Sequence, residues 1–305
     1  MLLYICKRIL GMIPVLWVIV TLTFFLIRLA PGGPFDQEKH IPPEILENLE
    51  AKYHMNEPLY MQYVHYLGML ARGDLGPSFR YENRTVNEII FETFPVSAQV
   101  GGLGLLYALV IGVCAGLFAA SRPNTFRDYI PMFFSLIGTC LPSFVIGPLL
   151  MLLFAVKLQW VSVSGWEKPT DVILPAITLG TMYAAYFARL TRGGILDLIR
   201  QDFIRTAHAK GVRGWVIMLR HTLKGGLLPS VSFLGPAAAA MLTGSLVVET
   251  IFNIPGLGRF FVQSALNRDY TLVMGCVLFV AVLIVLMNLL VDIAYALLDP
   301  RVSYE

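Results

Sequence analysis

"FIRTAHAKGVRGWVIMLRHTLK", residues 203–224, separates two long apolar runs and carries Arg205, Lys210, Arg213, Arg220 and Lys224, with His221 a further basic group when protonated. Whether this stretch lies inside a bilayer decides how many times the chain crosses it and in which direction. Each Arg or Lys at the bilayer centre costs about 2.5–3.5 kcal/mol on the insertion scale, so the permanent charges here cost on the order of 15 kcal/mol together. The apolar residues between them cannot offset that, and the segment is expected outside the hydrocarbon. It is not a featureless linker. Val212, Trp215, Val216, Leu219 and Leu223 fall on one helical face, opposite Arg213, Arg220 and Lys224. Phe203, Ile204 and Ala207 make a shorter apolar patch ahead of Gly211, which sits where a helix end needs a permissive backbone. The expected product is a short helix, a glycine turn and an amphipathic helix entering the next apolar run. Two roles fit it: basic groups among lipid headgroups, or a docking surface for a cytoplasmic partner.

The rest of the chain behaves as a membrane sequence. Of its 305 residues 56% are hydrophobic and only 14% charged, with a mean hydropathy of +0.68. Soluble domains carry about 25% charged residues. The net charge of +3 is small, and no nucleic-acid partner is expected. Cys6, Cys114, Cys140 and Cys276 show no paired spacing, so they read as small hydrophobes rather than a metal site or disulfide framework.

A membrane helix needs about 20 mostly apolar residues. The runs near 9–30, 97–120, 131–156, 172–191, 228–251 and 274–297 qualify, which predicts an all-α protein with six transmembrane helices. The first run is too long for a signal-peptide core and lacks a cleavage site, so an uncleaved helix is expected. Lys7, Arg8, Arg122, Arg127, the basic cluster from Arg189 to Lys224, and Arg301 all fall on one side, which the positive-inside rule assigns to the cytoplasm together with both termini.

Three regions follow: residues 1–30 with the first helix, 31–95 as a small extracytoplasmic cap, and 96–305 as the transmembrane core with a cytoplasmic loop at 193–227. Within the cap, "PPEILENLEAKYH" (42–54) opens with helix-start signals, and Leu59, Tyr63, Leu67 and Leu70 share helical spacing. Gly112 and Gly116 make a GxxxG that lets another helix approach. The small-residue run "GPAAAAMLTGSLVVE" (235–249) fits either tight packing or the lining of a wide path. "LPSFVIGP" (141–148) holds two prolines, so the third span is expected to kink.

Several chemistries have no residues to carry them. There is no G-x-x-x-x-G-K-[ST] phosphate cradle, no H-E-x-x-H and no G-x-S-x-G. His40, His54, His65, His208 and His221 form no ligand set by spacing. An ion-coupled secondary transporter is the rival class, but such proteins bury ionisable groups in mid-membrane. Here the charges within spans, Arg28, Glu249 and Asp292, sit near span ends. Glu249 could cap a helix or meet Arg259 or Arg268, and sequence leaves that open, as it does the role of Asp292.

"RTAHAKG" (205–211) resembles the EAAxxxG motif of binding-protein-dependent ABC transporter permeases, with Arg205, Thr206, Ala207 and Gly211 at the E, A, A and G positions. Arg205 and Thr206 depart from that pattern, and the proline that usually closes it is displaced to Pro229. Further likeness to the peptide/nickel branch of these permeases lies in residues 8–34, in "DLGPSFRYENRTVNEIIFETFPVSAQVG" (74–101), "ETIFNIPGLGRFF" (249–261), "NRDY" (267–270) and "DIAYALLDPR" (292–301). Within the branch the chain is most similar to the B-type membrane subunit of bacterial oligopeptide transporters, at "LAPGGPF", "IPPEILENLEAKYHMNEP" and "LGPSFRY".

The resemblance implies a multi-pass inner-membrane subunit of an ATP-driven importer of oligopeptides. It implies a second homologous permease, two ATP-binding subunits that hold ATP and magnesium, and an extracytoplasmic peptide-binding protein as partners, with membrane lipid around them. Arg205, Thr206, Ala207, His208, Ala209, Lys210 and Gly211 are then the coupling helix that seats in an ATP-binding subunit. No catalytic residue, cofactor or metal is expected in this chain. Importers of dipeptides, nickel or glutathione share the same motifs.

Overall fold

The computed structural model describes residues 2–29, 33, 51, 53 and 55–298. Among them every element of regular structure is helical, the connections are turns and loops, and the one β pairing is an isolated bridge between Pro77 and Thr85. The helix expected at 42–54, apart from Ala51 and Tyr53, and Arg301 lie outside the described residues.

Helix α1 is Leu2–Leu29 and α2 is Leu59–Leu70. Helix α3, Val86–Ser121, runs for 36 residues. At 1.5 Å per residue it is about 54 Å long, well beyond the ~30 Å hydrocarbon thickness. The border expected at 95/96 therefore falls inside one continuous helix. Pro95 removes a single donor from it, which membrane helices tolerate. The start is set by a capping box: Thr85 Oγ1 accepts the Glu88 N–H at 3.3 Å, and Glu88 Oε2 accepts the Thr85 N–H at 3.1 Å.

The third crossing is broken more sharply than a kink. Helix α4, Phe126–Cys140, meets α5, Ser143–Leu150, which continues as a π-helical Met151–Lys157, and the two arms bend by 108°. Pro142 explains the site. It supplies no N–H and pushes Leu141 out of helical geometry, to φ −82° and ψ 119°. Pro148 lies inside α5 without breaking it. Each arm is about 22 Å long, too short to cross alone.

Helix α6, Ile173–Ile199, precedes the basic loop, and α10, Leu228–Leu242, follows it. Short helices α11, Leu246–Ile251, and α12, Leu257–Leu266, lead to the last span α13, Tyr270–Leu298. The bent pair still takes the chain from one side to the other. At its start Asp128 bonds Arg192 near the end of α6, and beyond its end the Gly165 N–H donates to the Phe252 carbonyl at 3.0 Å, on the far side. With the pair counted as one span, the described residues hold six helices long and apolar enough to cross a membrane, as expected. Arg8 and Asp292 meet at 2.6 Å, placing the described start of α1 beside the far end of α13 and giving Asp292 a partner.

The tightest packing joins α3 to α6. Gly104, Gly112 and Gly116 face the α6 backbone at Ala176, Ala184 and Ala188, so closely that a methyl group at any of them would collide. The GxxxG expectation holds, and Phe187 is fully buried in this seam. In α10 Gly235, Ala237, Ala238 and Ala239 are buried, so the small-residue run serves helix packing on that face. On the side opposite the basic loop, α2 turns Tyr63, Tyr66, Leu67 and Leu70 toward Val20, Phe24 and Met274, while Leu59 is exposed rather than part of that face.

Candidate coupling loop and its polar supports

The basic segment folds as four short pieces outside the spans. Helix α7 is Asp202–Ala209; it is followed by α8, Gly214–Val216, a π-helical Ile217–Thr222, and α9, Leu223–Gly226. Between α7 and α8 the chain reverses at Gly211, whose φ is +73°. The Gly211 N–H donates to His208 O at 2.9 Å and the Val212 N–H to Ala207 O at 3.2 Å. That bond pair, with a left-handed glycine just past the helix, is a Schellman ending, and Val212 packs on the Ala207 side as such endings favour. The four-residue spacing from Ala207 to Gly211 is thus the spacing this turn needs.

The seven candidate coupling residues do not all face outward. Ala207 is buried with Ile204 and Ile217. Its small size keeps α7 against the π-helical piece and offers no contact to another molecule. Arg205, Thr206, His208, Ala209, Lys210 and Gly211 are exposed. Phe203, 45% exposed, extends the same outer surface, and Asp202 lies 3.4 Å from Arg205.

The amphipathic face beyond Gly211 also differs from expectation. Ile217, Thr222 and Gly226 are buried, whereas Trp215 is 63% and Leu219 46% exposed. Thr222 stands five positions after Ile217 in a π-helical turn, and its hydroxyl donates to Ile217 O at 2.9 Å. A wider turn rotates every later side chain away from the 3.6-residue register. Trp215 and Leu219 instead line a groove of about 780 Å³ with Phe118, Arg122, Arg127 and His208.

Three buried carboxylates hold the surroundings. Asp128, at the start of α4, is 1% exposed and accepts both Nε and Nη2 of Arg192, at 2.5 and 2.7 Å, plus the Asn124 N–H at 2.9 Å. The first turn of α4 gave no warning in the sequence that its acid would turn inward. On the opposite side Glu249, 1% exposed, accepts the Ser97 hydroxyl at 2.7 Å and the Arg259 backbone N–H at 2.8 Å. Ser97 in turn accepts the Leu257 N–H at 2.8 Å. Glu249 therefore caps the N-terminus of α12, the first of the roles the sequence left open; the Arg259 side chain goes to Asn253. Gly244, Gly256 and Gly258 leave the space its carboxylate fills.

Asp269, also 1% exposed, caps α13 through the Leu272 N–H at 3.1 Å. It also accepts the Ser78 hydroxyl and the Phe79 and Arg80 N–H groups, tying residues 78–80 to the last span. The "ETIFNIPGLGRFF" and "NRDY" stretches are thus helix junctions.

The comparisons agree with this architecture. The family described as "Binding-protein-dependent transport system inner membrane component" matches residues 112–304, and "Binding-prot-dependent transport system membrane comp, N-term" matches residues 1–101. The chain is 47% identical over 306 residues to the oligopeptide transport system permease protein OppB of Haemophilus influenzae, and equally to that of Salmonella typhimurium, covering 100% of each chain. It is 40% identical to the dipeptide transport system permease protein DppB of Bacillus subtilis, over 98% of this chain and 97% of that one. The crystal structure of an amino acid ABC transporter with histidines has a similar fold, with a TM-score of 0.51 and 16% identity over 71% of this chain and 95% of that one. With both sequence families spanning nearly its whole length, the chain belongs to the inner membrane components of binding-protein-dependent transport systems.

Proposed function

We propose that this chain is the B-type membrane subunit of an ATP-driven importer that takes up oligopeptides. The observation that carries the reading is end-to-end identity of 47% with subunits named as oligopeptide permeases, against 40% for the dipeptide permease of Bacillus subtilis. A second related permease, two ATP-binding subunits and an extracytoplasmic peptide-binding protein complete the transporter. ATP and magnesium are held by the ATP-binding subunits, and this chain contributes no hydrolytic site. The basic loop and both termini face the cytoplasm, on the positive-inside argument.

The loop geometry supports coupling. Arg205, Thr206, His208, Ala209, Lys210 and Gly211 present one exposed surface, buttressed from behind by Ala207, Ile204 and Ile217. ATP binding draws the ATP-binding subunits together, and a rigid loop seated in one of them transmits that movement to α6 and α10. Coupling requires that the loop differ in affinity for the two partner states.

Deleting the gene for this chain abolishes uptake of tri- to pentapeptides and spares nickel uptake. Loss of nickel uptake with peptide uptake unchanged overturns the substrate while leaving the importer reading in place. Retained tripeptide uptake with dipeptide uptake lost selects the dipeptide reading.

A further inference from the structure

Where α2 packs on the ends of α1 and α13 there is a cavity of about 260 Å³, with Arg28, Gln62, His65, Tyr66 and Thr271 in its walls. Arg28 carries a permanent charge on five N–H donors. Its recorded partners are all neutral. Nε donates to Gln62 Oε1 at 3.0 Å, Nη1 reaches Met274 Sδ at 3.7 Å, and the guanidinium lies 3.6 Å from the Phe24 ring centroid and 5.9 Å from that of Tyr270. Among the described residues no carboxylate pairs with it. Gln62 cannot rotate to offer more, because its amide nitrogen is committed to Met55 O at 3.1 Å and Glu57 O at 2.8 Å.

Tyr66 is 4% exposed, and its hydroxyl is buried with no hydrogen-bond partner. Burial pushes the phenol well above its ordinary range, so it stays protonated and can donate. The other groups in the walls are already matched. The Thr271 hydroxyl donates to Pro77 O at 2.5 Å, and His65 Nδ1 lies 3.7 Å from the Glu57 carboxylate. A semi-enclosed space therefore holds one unneutralised cation and one unused donor. Arg28 is half-buried and Tyr66 buried, and a charge partly withdrawn from water and a buried polar group both cost free energy until they find partners. An anion with few atoms satisfies both, and the volume excludes a large one.

We propose that Arg28 and Tyr66 form a binding site for one small monovalent anion, a halide or a carboxylate the size of acetate. The site stands apart from the transport reading and does not depend on it. A ligand bound only by the folded state raises thermal stability in a saturable way. The test is thermal melting of the protein as purified from membranes, with whatever subunits accompany it, in sodium chloride or sodium acetate titrated against sodium lactobionate at constant ionic strength. The midpoint rises and saturates with chloride, acetate or both, and the two arms identify which. Y66F leaves the midpoint in lactobionate unchanged or higher, because the hydroxyl it removes has no protein partner, yet weakens the anion response at least threefold. R28Q abolishes the response. A response that never saturates, or one equal in wild type and Y66F, overturns the site even if R28Q does not fold.

Discussion

Asp128 and Arg192 join α4 to α6 through two parallel hydrogen bonds, at 2.5 and 2.7 Å, with the carboxylate almost completely buried. Arg192 stands two turns before α6 ends and the basic loop begins. The same acid also accepts the Asn124 N–H, fixing the turn that leads into α4. One ion pair thus anchors two spans where the loop departs. The root of the loop is held by directional bonds rather than by apolar contact alone, which is the rigidity the proposed coupling role would require.

D128N keeps one acceptor and loses the charge; R192K keeps the charge and loses the planar fork. Hydrogen bonds to charged groups contribute about 1.5–3 kcal/mol each. Both variants are expected to insert and to melt several degrees lower in detergent, R192K less than D128N. In the assembled transporter both should lower substrate-stimulated ATP hydrolysis more than basal hydrolysis. Wild-type melting in D128N would show that the pair anchors nothing.

Glu249 sets a second prediction. E249Q can still accept from Ser97, but its amide NH₂ must then face the Arg259 N–H, donor against donor. Leaving a buried donor unsatisfied costs about 1–3 kcal/mol. S97A removes one hydroxyl and should cost about 1 kcal/mol. G256A drives a methyl group into the Glu249 carboxylate. Size-exclusion profiles in detergent should rank recovery as wild type, S97A, E249Q, with G256A lowest. E249Q recovered like wild type would mean that the cap is not a stability element.

Apolar length made the straight crossings legible, because that measure needs no knowledge of neighbours. The broken third crossing was legible only as a kink, since Pro142 marks where a helix stops but not the angle at which the next arm leaves. The loop face was misread for a different reason. Periodicity assumes one helical pitch, and the π-helical turn at Ile217–Thr222 changes it. Gly211 was read correctly because a left-handed residue past a helix end has a local cause. Ala207 was counted among the coupling residues through the motif resemblance, whereas it is buried against Ile217, ten residues away. Asp128 was invisible for the same reason: its partner is 64 positions distant.

Orientation gives a third prediction. In a background without the native cysteines, a cysteine at Glu57 should react with an impermeant thiol reagent added outside, and one at Lys210 only after the membrane is opened. Lys210 is exposed and Glu57 partly so, and both lie clear of the spans, so access to the side is what the reagent reports. Labelling of Lys210→Cys in intact cells would invert the topology and remove the coupling role of the loop.

The coupling surface supplies the last prediction, and the structure changes how it must be tested. A bulky replacement of Ala207, as in A207W, would pry α7 from Ile217 and damage the loop itself, so loss of coupling there says nothing about docking. The informative positions are those that face outward. R205E and K210E reverse charge on the exposed surface without touching the Ile204–Ala207–Ile217 cluster, and no buried group loses a partner. G211V separates the turn from the surface. No heavy atom lies within 4 Å of the added Cβ, so its cost is the positive φ alone, on the order of 1–2 kcal/mol per left-handed residue and more for a β-branched one. G211N, which tolerates that φ, should restore most of the loss. If the loop seats in an ATP-binding subunit, R205E and K210E should weaken co-purification of that subunit and lower substrate-stimulated ATP hydrolysis severalfold, while the melting of the chain itself stays within a degree of wild type. G211V should lower both melting and coupling, and G211N should recover them together. Full coupling in both charge reversals would move the partner's contact elsewhere and leave the basic residues as anchors for lipid headgroups.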